Sequence, residues 1–184
     1  MEATRWSRSP KYYKTGRHNM KKIFLLFFVL GTCCKAFSQY DTTAPFFKNR
    51  HMPGFSLLNI DSVAFTQDVL AENRNTIIML FNPECEHCQK QLELLLSIPE
   101  VANSAELVLS SIETMEKNRI FYNKYHLEKY PFIHLGKDYK YIFGAYFRPT
   151  TIPLLAFYNK KKEFVLLNNG NTEKKMILEG LKDQ

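Results

Sequence analysis

Cysteine is scarce in this chain: four occur in 184 residues, at positions 33, 34, 85 and 88. A small domain stapled by disulfides needs several pairs spread along its length, so no disulfide framework is present. Long apolar runs are equally few. Only one exists, which excludes an array of membrane helices. Charge of one sign is missing from most of the chain. The formal net charge is +7, but residues 1–38 hold eight basic residues against Glu2 alone. Taking these from totals of 25 and 18 leaves 17 of each sign over 39–184. The basicity belongs to the N-terminal segment, and the body offers no electrostatic case for binding nucleic acid. Internal repeats and low-complexity segments are lacking too. With 45% hydrophobic and 23% charged residues, the composition excludes a disordered chain. What remains is one domain of ordinary size that can bury a real core without staples.

The N-terminal segment reads as an export signal. Lys21-Lys22 precede the apolar run Ile23–Leu30, and a small-x-small site follows at Ala36-Phe37-Ser38. A positive region, a short apolar region and a cleavage site after Ser38 make up a signal peptide. Lys35 interrupts the run before the ~20 residues that a spanning helix needs. The competing readings are an uncleaved anchor and lipidation at Cys33. Leu30-Gly31-Thr32-Cys33 is like a lipobox, although Thr fits poorly before the cysteine. Met20-Lys21-Lys22 makes a more compact start than Met1. The division is thus residues 1–38 as basic extension and signal, 39–50 as a polar linker, and 51–184 as the domain.

Within the domain, Phe55–Leu58 is extended, Asp61-Ser62 turns, and Val63–Phe65 is extended again. Thr66 caps a short helix over 67–72 with Val69 and Leu70 inward. Asn73–Asn75 is a loop. Thr76–Phe81 is an unbroken apolar run of strand length, as a strand covered on both faces requires. A helix follows from about Cys85 to Ser97, ended by Pro99, with Cys88, Leu92, Leu95 and Leu96 on one stripe. Glu106–Ile112 reads as a strand and Met115–Tyr125 as a helix. Residues 129–147 are rich in aromatics, part of them a short helix. Leu154–Tyr158 and Glu163–Leu167 are strands joined by a tip too short for a crossover, hence a hairpin. Thr172–Leu181 is a closing helix. Strand-helix-strand-helix followed by strand-strand-helix predicts an α/β domain, a central mixed sheet flanked by helices.

Cys85-Glu86-His87-Cys88 carries the chemistry. It follows a buried strand and opens a helix. At that position Cys85 meets unpaired backbone N–H groups and the positive end of the helix dipole, which favour a thiolate. Cys88 lies one turn on, facing inward. A nucleophile at an exposed tip with a shielded partner in reach is what dithiol exchange needs. A zinc site would require a second cysteine pair, and His51, His126 and His134 lack ligand spacing. The competing uses are two small core residues or a static local disulfide.

On these residues the chain resembles the exported thioredoxin-fold proteins of the TlpA/ResA kind, thiol-disulfide oxidoreductases of the bacterial envelope. The likeness is carried by Pro53–Leu57, Ile77–Phe81, Cys85-x-x-Cys88 and Thr151-Ile152-Pro153, and spans about residues 51–182. The resemblance implies a thioredoxin-like fold, Cys85 as nucleophile, Cys88 as resolving thiol, and a Cys85–Cys88 disulfide in the oxidised state. It further implies a cis bond at Pro153 and a backbone contact from Ile152 to a client peptide. On spacing alone Pro153 reads equally well as a strand-start proline. The implied partners are client proteins with thiols or disulfides and a membrane electron donor. No cofactor or metal is implied, and the setting is the periplasm or outer envelope. Three departures stand out. Glu84 occupies the usual Trp position, Glu86-His87 replace the usual Gly-Pro between the cysteines, and Met79 holds the position of the buried acid. A peroxiredoxin is excluded, since Asn82 sits where Thr is required.

Glu84, Glu86 and His87 tune the poise. A glutamate ~7 Å from the sulfur at an effective dielectric of ~40 opposes a thiolate by about 1.2 kcal/mol. The helix end favours it by roughly 0.3–1 kcal/mol. The terms nearly cancel, and the resemblance points to reduction of clients over their oxidation. A binding module without turnover and a structural lipoprotein anchored through Cys33 or Cys34 are the other readings. The aromatics from Phe121 to Phe147 serve as core or as a client-binding surface.

Overall fold

The computed structural model describes residues 43–182. The expected signal segment, with Cys33 and Cys34, lies outside the described residues, as does the start of the linker. The elements run α1 (Pro45–Lys48), β1 (Ser56–Leu58), β2 (Ala64–Thr66), β3 (Asn75–Leu80), α2 (Glu86–Leu96), α3 (Pro99–Ser104), β4 (Ala105–Ser111), α4 (Met115–Lys124), β5 (Ile133–Lys137), α5 (Ile142–Phe147), β6 (Leu154–Tyr158), β7 (Phe164–Asn169) and α6 (Lys174–Gly180). Single 3₁₀ turns lie at Gln67–Val69 and Leu127–Lys129. The strands form one seven-stranded mixed sheet in the order β2-β1-β5-β4-β3-β6-β7. β3, β4 and β5 are parallel, and β6 is antiparallel to β3.

β3 is buried along its whole length, as an unbroken apolar run demands. Its side chains alternate between two cores. Ile77 and Met79 join Leu92 and Leu95 of α2, Phe121 of α4 and Ile177 of α6 on one face. Ile78 and Leu80 join Phe46, Phe55, Phe143 and Phe147 on the other. Helices therefore cover both faces, and the sheet is an α/β core layer.

Four expectations need correction. Residues 43–50 are more than a polar lead-in: Phe46 of α1 and its N-cap Ala44 are buried in the second core. The aromatic stretch 129–147 holds a complete strand, β5, ahead of the short helix α5. Val69 is exposed and only Leu70 turns inward, because the 67–72 segment makes one 3₁₀ turn, too short to present a helical face. Pro99 does more than stop a helix, since it opens the separate helix α3.

Candidate active site

The ends of β3 and β4 and the start of β6 meet at one pole of the sheet. Leu80, the last residue of β3, pairs with Leu154, the first of β6. This register brings the Asn82–Cys85 loop and the Ile152–Pro153 turn together. The Ile152–Pro153 peptide bond is cis.

Asn82 shapes the loop. Its side-chain Oδ1 accepts the Glu84 N–H at 2.8 Å, and its carbonyl accepts the Cys85 N–H at 3.0 Å. Asn-Pro is a turn-forming pair for this reason. Cys85 then caps α2: its backbone is extended, and Sγ accepts the Cys88 N–H at 3.4 Å. An N–H of the first turn at this sulfur stabilises negative charge on it. Cys85 is half-buried and Cys88 fully buried. Burial pushes the Cys88 thiol up to about 12, helped by the hydrogen bond and charge of Cys85. A backbone contact from Asn82 works the other way. Both sulfurs are free thiols here, the reduced form of the pair.

Glu84, Glu86 and His87, expected from the sequence to tune the poise, are exposed. Glu84 pairs with Lys117 at 2.7 Å, and Glu86 with Lys90 one turn along α2 at 2.6 Å. The Lys90 ammonium holds the Glu86 carboxyl below its ordinary value. Neither glutamate faces the sulfur as a bare charge, so the repulsion expected from sequence is reduced. The buried acid's usual place is taken by Met79, which is fully buried in the first core. Among the described residues, no three His, Cys, Asp or Glu gather as a metal site.

Sequence reasoning missed an apolar cleft at the same pole. Its volume is about 150 Å³. Ile112, Tyr141 and Ile152 line it while 48%, 58% and 37% exposed. Tyr141 has φ 58°, the left-handed region an aromatic residue rarely adopts. Its ring lies over Gly144, where an added Cβ would come within 3.1 Å of it. Of the aromatics singled out in the sequence, Phe121, Phe143 and Phe147 are core residues. Tyr141 alone among them lines this cleft.

No protein-family model matches the chain, and no curated protein matches it in sequence. Solved structures do. StoA from Bacillus subtilis is 16% identical with a TM-score of 0.54, over 73% of this chain and 100% of that one. The pneumococcal exposed lipoprotein thioredoxin Etrx1 from Streptococcus pneumoniae is 18% identical with a TM-score of 0.54, over 70% and 98%. A secreted Mycobacterium tuberculosis disulfide oxidoreductase, described as homologous to E. coli DsbE, is 17% identical with a TM-score of 0.54, over 68% and 92%. A mixed sheet between helices, with a cysteine pair at the mouth of a helix, defines the class. The chain has the thioredoxin-like fold.

Proposed function

We propose that the protein is an exported thiol-disulfide oxidoreductase that reduces disulfides of client proteins in the cell envelope. The observation that carries this is the asymmetry of the two thiols: one half-buried and hydrogen-bonded at a helix mouth, the other fully buried and held protonated. In the reaction, the Cys85 thiolate attacks one sulfur of a client disulfide, and the other client sulfur leaves as a thiolate. Cys88 then gives its proton to water or to the departed client thiolate and attacks the Cys85 sulfur, releasing the second client thiolate. Two electrons have moved to the client, and the chain holds a Cys85–Cys88 disulfide. Two of the influences that keep Cys88 protonated come from Cys85 itself, its hydrogen bond and its charge. Both are lost when Cys85 enters the mixed disulfide. Cys88 therefore becomes easier to ionise at the step where it must attack, which offsets the missing buried acid.

The apolar cleft beside Ile152 supports a polypeptide client, with Ile152 pairing its backbone to the client and Tyr141 and Ile112 receiving an apolar side chain. Glu84, Glu86 and His87 set the poise. An external dithiol donor at the membrane returns the pair to the reduced form. Structural neighbours described as secreted or surface-exposed support export.

Insulin reduction tests the reading: wild type should catalyse it and Cys85→Ser should not. A Cys88→Ala variant should accumulate mixed disulfides with envelope proteins. Equal rates for wild type and Cys85→Ser, with insulin and with envelope extracts, would overturn it. The reduction potential of the pair tests direction. A value near thioredoxin's, about −270 mV, supports a reductant, and one near −120 mV reverses the assignment.

A further inference from the structure

Lys117 is absent from every sequence motif, yet it closes a circuit around the cysteine loop. It sits in the first turn of α4, where the Thr114 hydroxyl oxygen caps its N–H at 3.3 Å. Its Nζ lies 2.7 Å from Glu84 Oε2 and 3.1 Å from Glu113 Oε2. The other oxygen of Glu113 accepts from Asn82 Nδ2 at 2.8 Å. Asn82 in turn accepts the N–H groups of Glu84 and Cys85. The circuit thus runs from Lys117 through the Glu113 carboxylate to Asn82, on to the Glu84 N–H, and back from the Glu84 carboxylate to Lys117.

These pairs are too exposed to contribute much to stability. They lie beside the loop that carries the neighbouring sulfur. The ionisable groups around Cys85 are Glu84, Glu86, His87, Cys88 and Lys90 on its own loop and helix, Glu113 just after β4, and Lys117 and Lys124 on α4. The turn over 149–153 carries no charged residue. Two of the three lysines pair with the three carboxylates, while Lys124 donates to Gln89 Oε1 at 2.8 Å. Lys90 serves Glu86, and Lys117 serves the other two.

Resting on the oxidoreductase reading, we propose that Lys117 is a positioning residue for the Cys85 thiolate. It gathers Glu84 and Glu113 into one ion-pair cluster, so that neither carboxylate opposes charge on the sulfur, and it ties the cysteine loop to α4.

The test is the pH profile of Cys85 alkylation by iodoacetamide in the full chain, read by peptide-resolved mass spectrometry. Lys117→Met should shift the profile to higher pH and slow alkylation at pH 7 about threefold or more, the size expected for partly screened charges. Lys117→Arg should restore wild-type behaviour. Glu84→Gln should move the profile the other way, and the Lys117→Met/Glu84→Gln pair should return toward wild type. Because the thiolate stabilises the dithiol form, Lys117→Met should also shift the equilibrium with glutathione toward the disulfide by a similar factor. A Lys117→Met profile that superposes on wild type, or an Arg variant that behaves like Met, overturns the proposal. The Arg and Glu84→Gln variants retain the test if Lys117→Met misfolds. Alkylation needs no client, so loss of insulin reduction by wild type would refute the oxidoreductase reading and leave this measurement decisive for Lys117.

Discussion

Iodoacetamide at pH 7 should label Cys85 in the folded, reduced protein and spare Cys88. The size of the difference follows from the site. Burial and the neighbouring sulfur carry Cys88 from its ordinary 9.0 to about 12. Each pH unit is tenfold in thiolate fraction, so near neutrality Cys88 offers about a thousandfold less thiolate than an unburied thiol. Its full burial restricts the reagent further. A time course with peptide-resolved mass spectrometry measures both rates, and a parallel course in guanidinium chloride gives the unfolded reference. Cys88 labelling should rise about a thousandfold on unfolding. A second arm isolates the neighbour: Cys85→Ala removes its hydrogen bond and charge, so Cys88 should label faster than in wild type while the fold is retained. Labelling of the two cysteines within tenfold of one another in the native state would refute the reasoning, as would Cys88 unchanged by Cys85→Ala.

Alkaline stability should follow the same groups. Cys88 and Tyr125 are both raised to about 12, Tyr125 chiefly by burial and then by its hydrogen bond to Glu93. The unfolded chain therefore releases these protons first. Their contribution to stability should be constant below about pH 9 and fall as pH rises toward 12. Urea titrations should show that fall, and Cys88→Ala should make it shallower. Gly180→Ala should cost about 1–3 kcal/mol by thermal unfolding, because the added Cβ would lie 2.4 Å from the ring of Phe157, which is itself fully buried. Tyr141→Ala should slow insulin reduction about fivefold, the equivalent of ~1 kcal/mol of apolar contact. Its reaction with oxidised glutathione should stay unchanged, since that small disulfide does not fill the cleft.

Periodicity made the centre of the fold readable. The run at 76–81 and the stripe at 88, 92 and 95 each report a local burial pattern, and both elements lie where those patterns point. β5 escaped because its five residues, Ile133 to Lys137, are masked by neighbouring aromatics and interrupted by Gly136. That glycine weakens a strand pattern, yet the packing demands it. A Cβ there would come within 2.6 Å of Leu57 and 2.8 Å of Phe65. The site was readable where it is local: Cys85 and Cys88 are one helical turn apart. Lys117 and Glu84 are distant in sequence and meet only because α4 packs beside the cysteine loop. No spacing rule reports such a pair. Asn82 was within reach, since Asn-Pro after a strand signals a side-chain-capped turn.

The hairpin between β6 and β7 turns at the pole opposite the cysteines. β6 leaves Pro153 and spends five residues, about 17 Å, before its tip at residues 159–162. Lys161 on that tip is exposed. A fluorophore, affinity handle or electrode tether grafted there would stand a full strand length from the sulfur chemistry. The protein could be immobilised by this end with its cysteine pair turned outward.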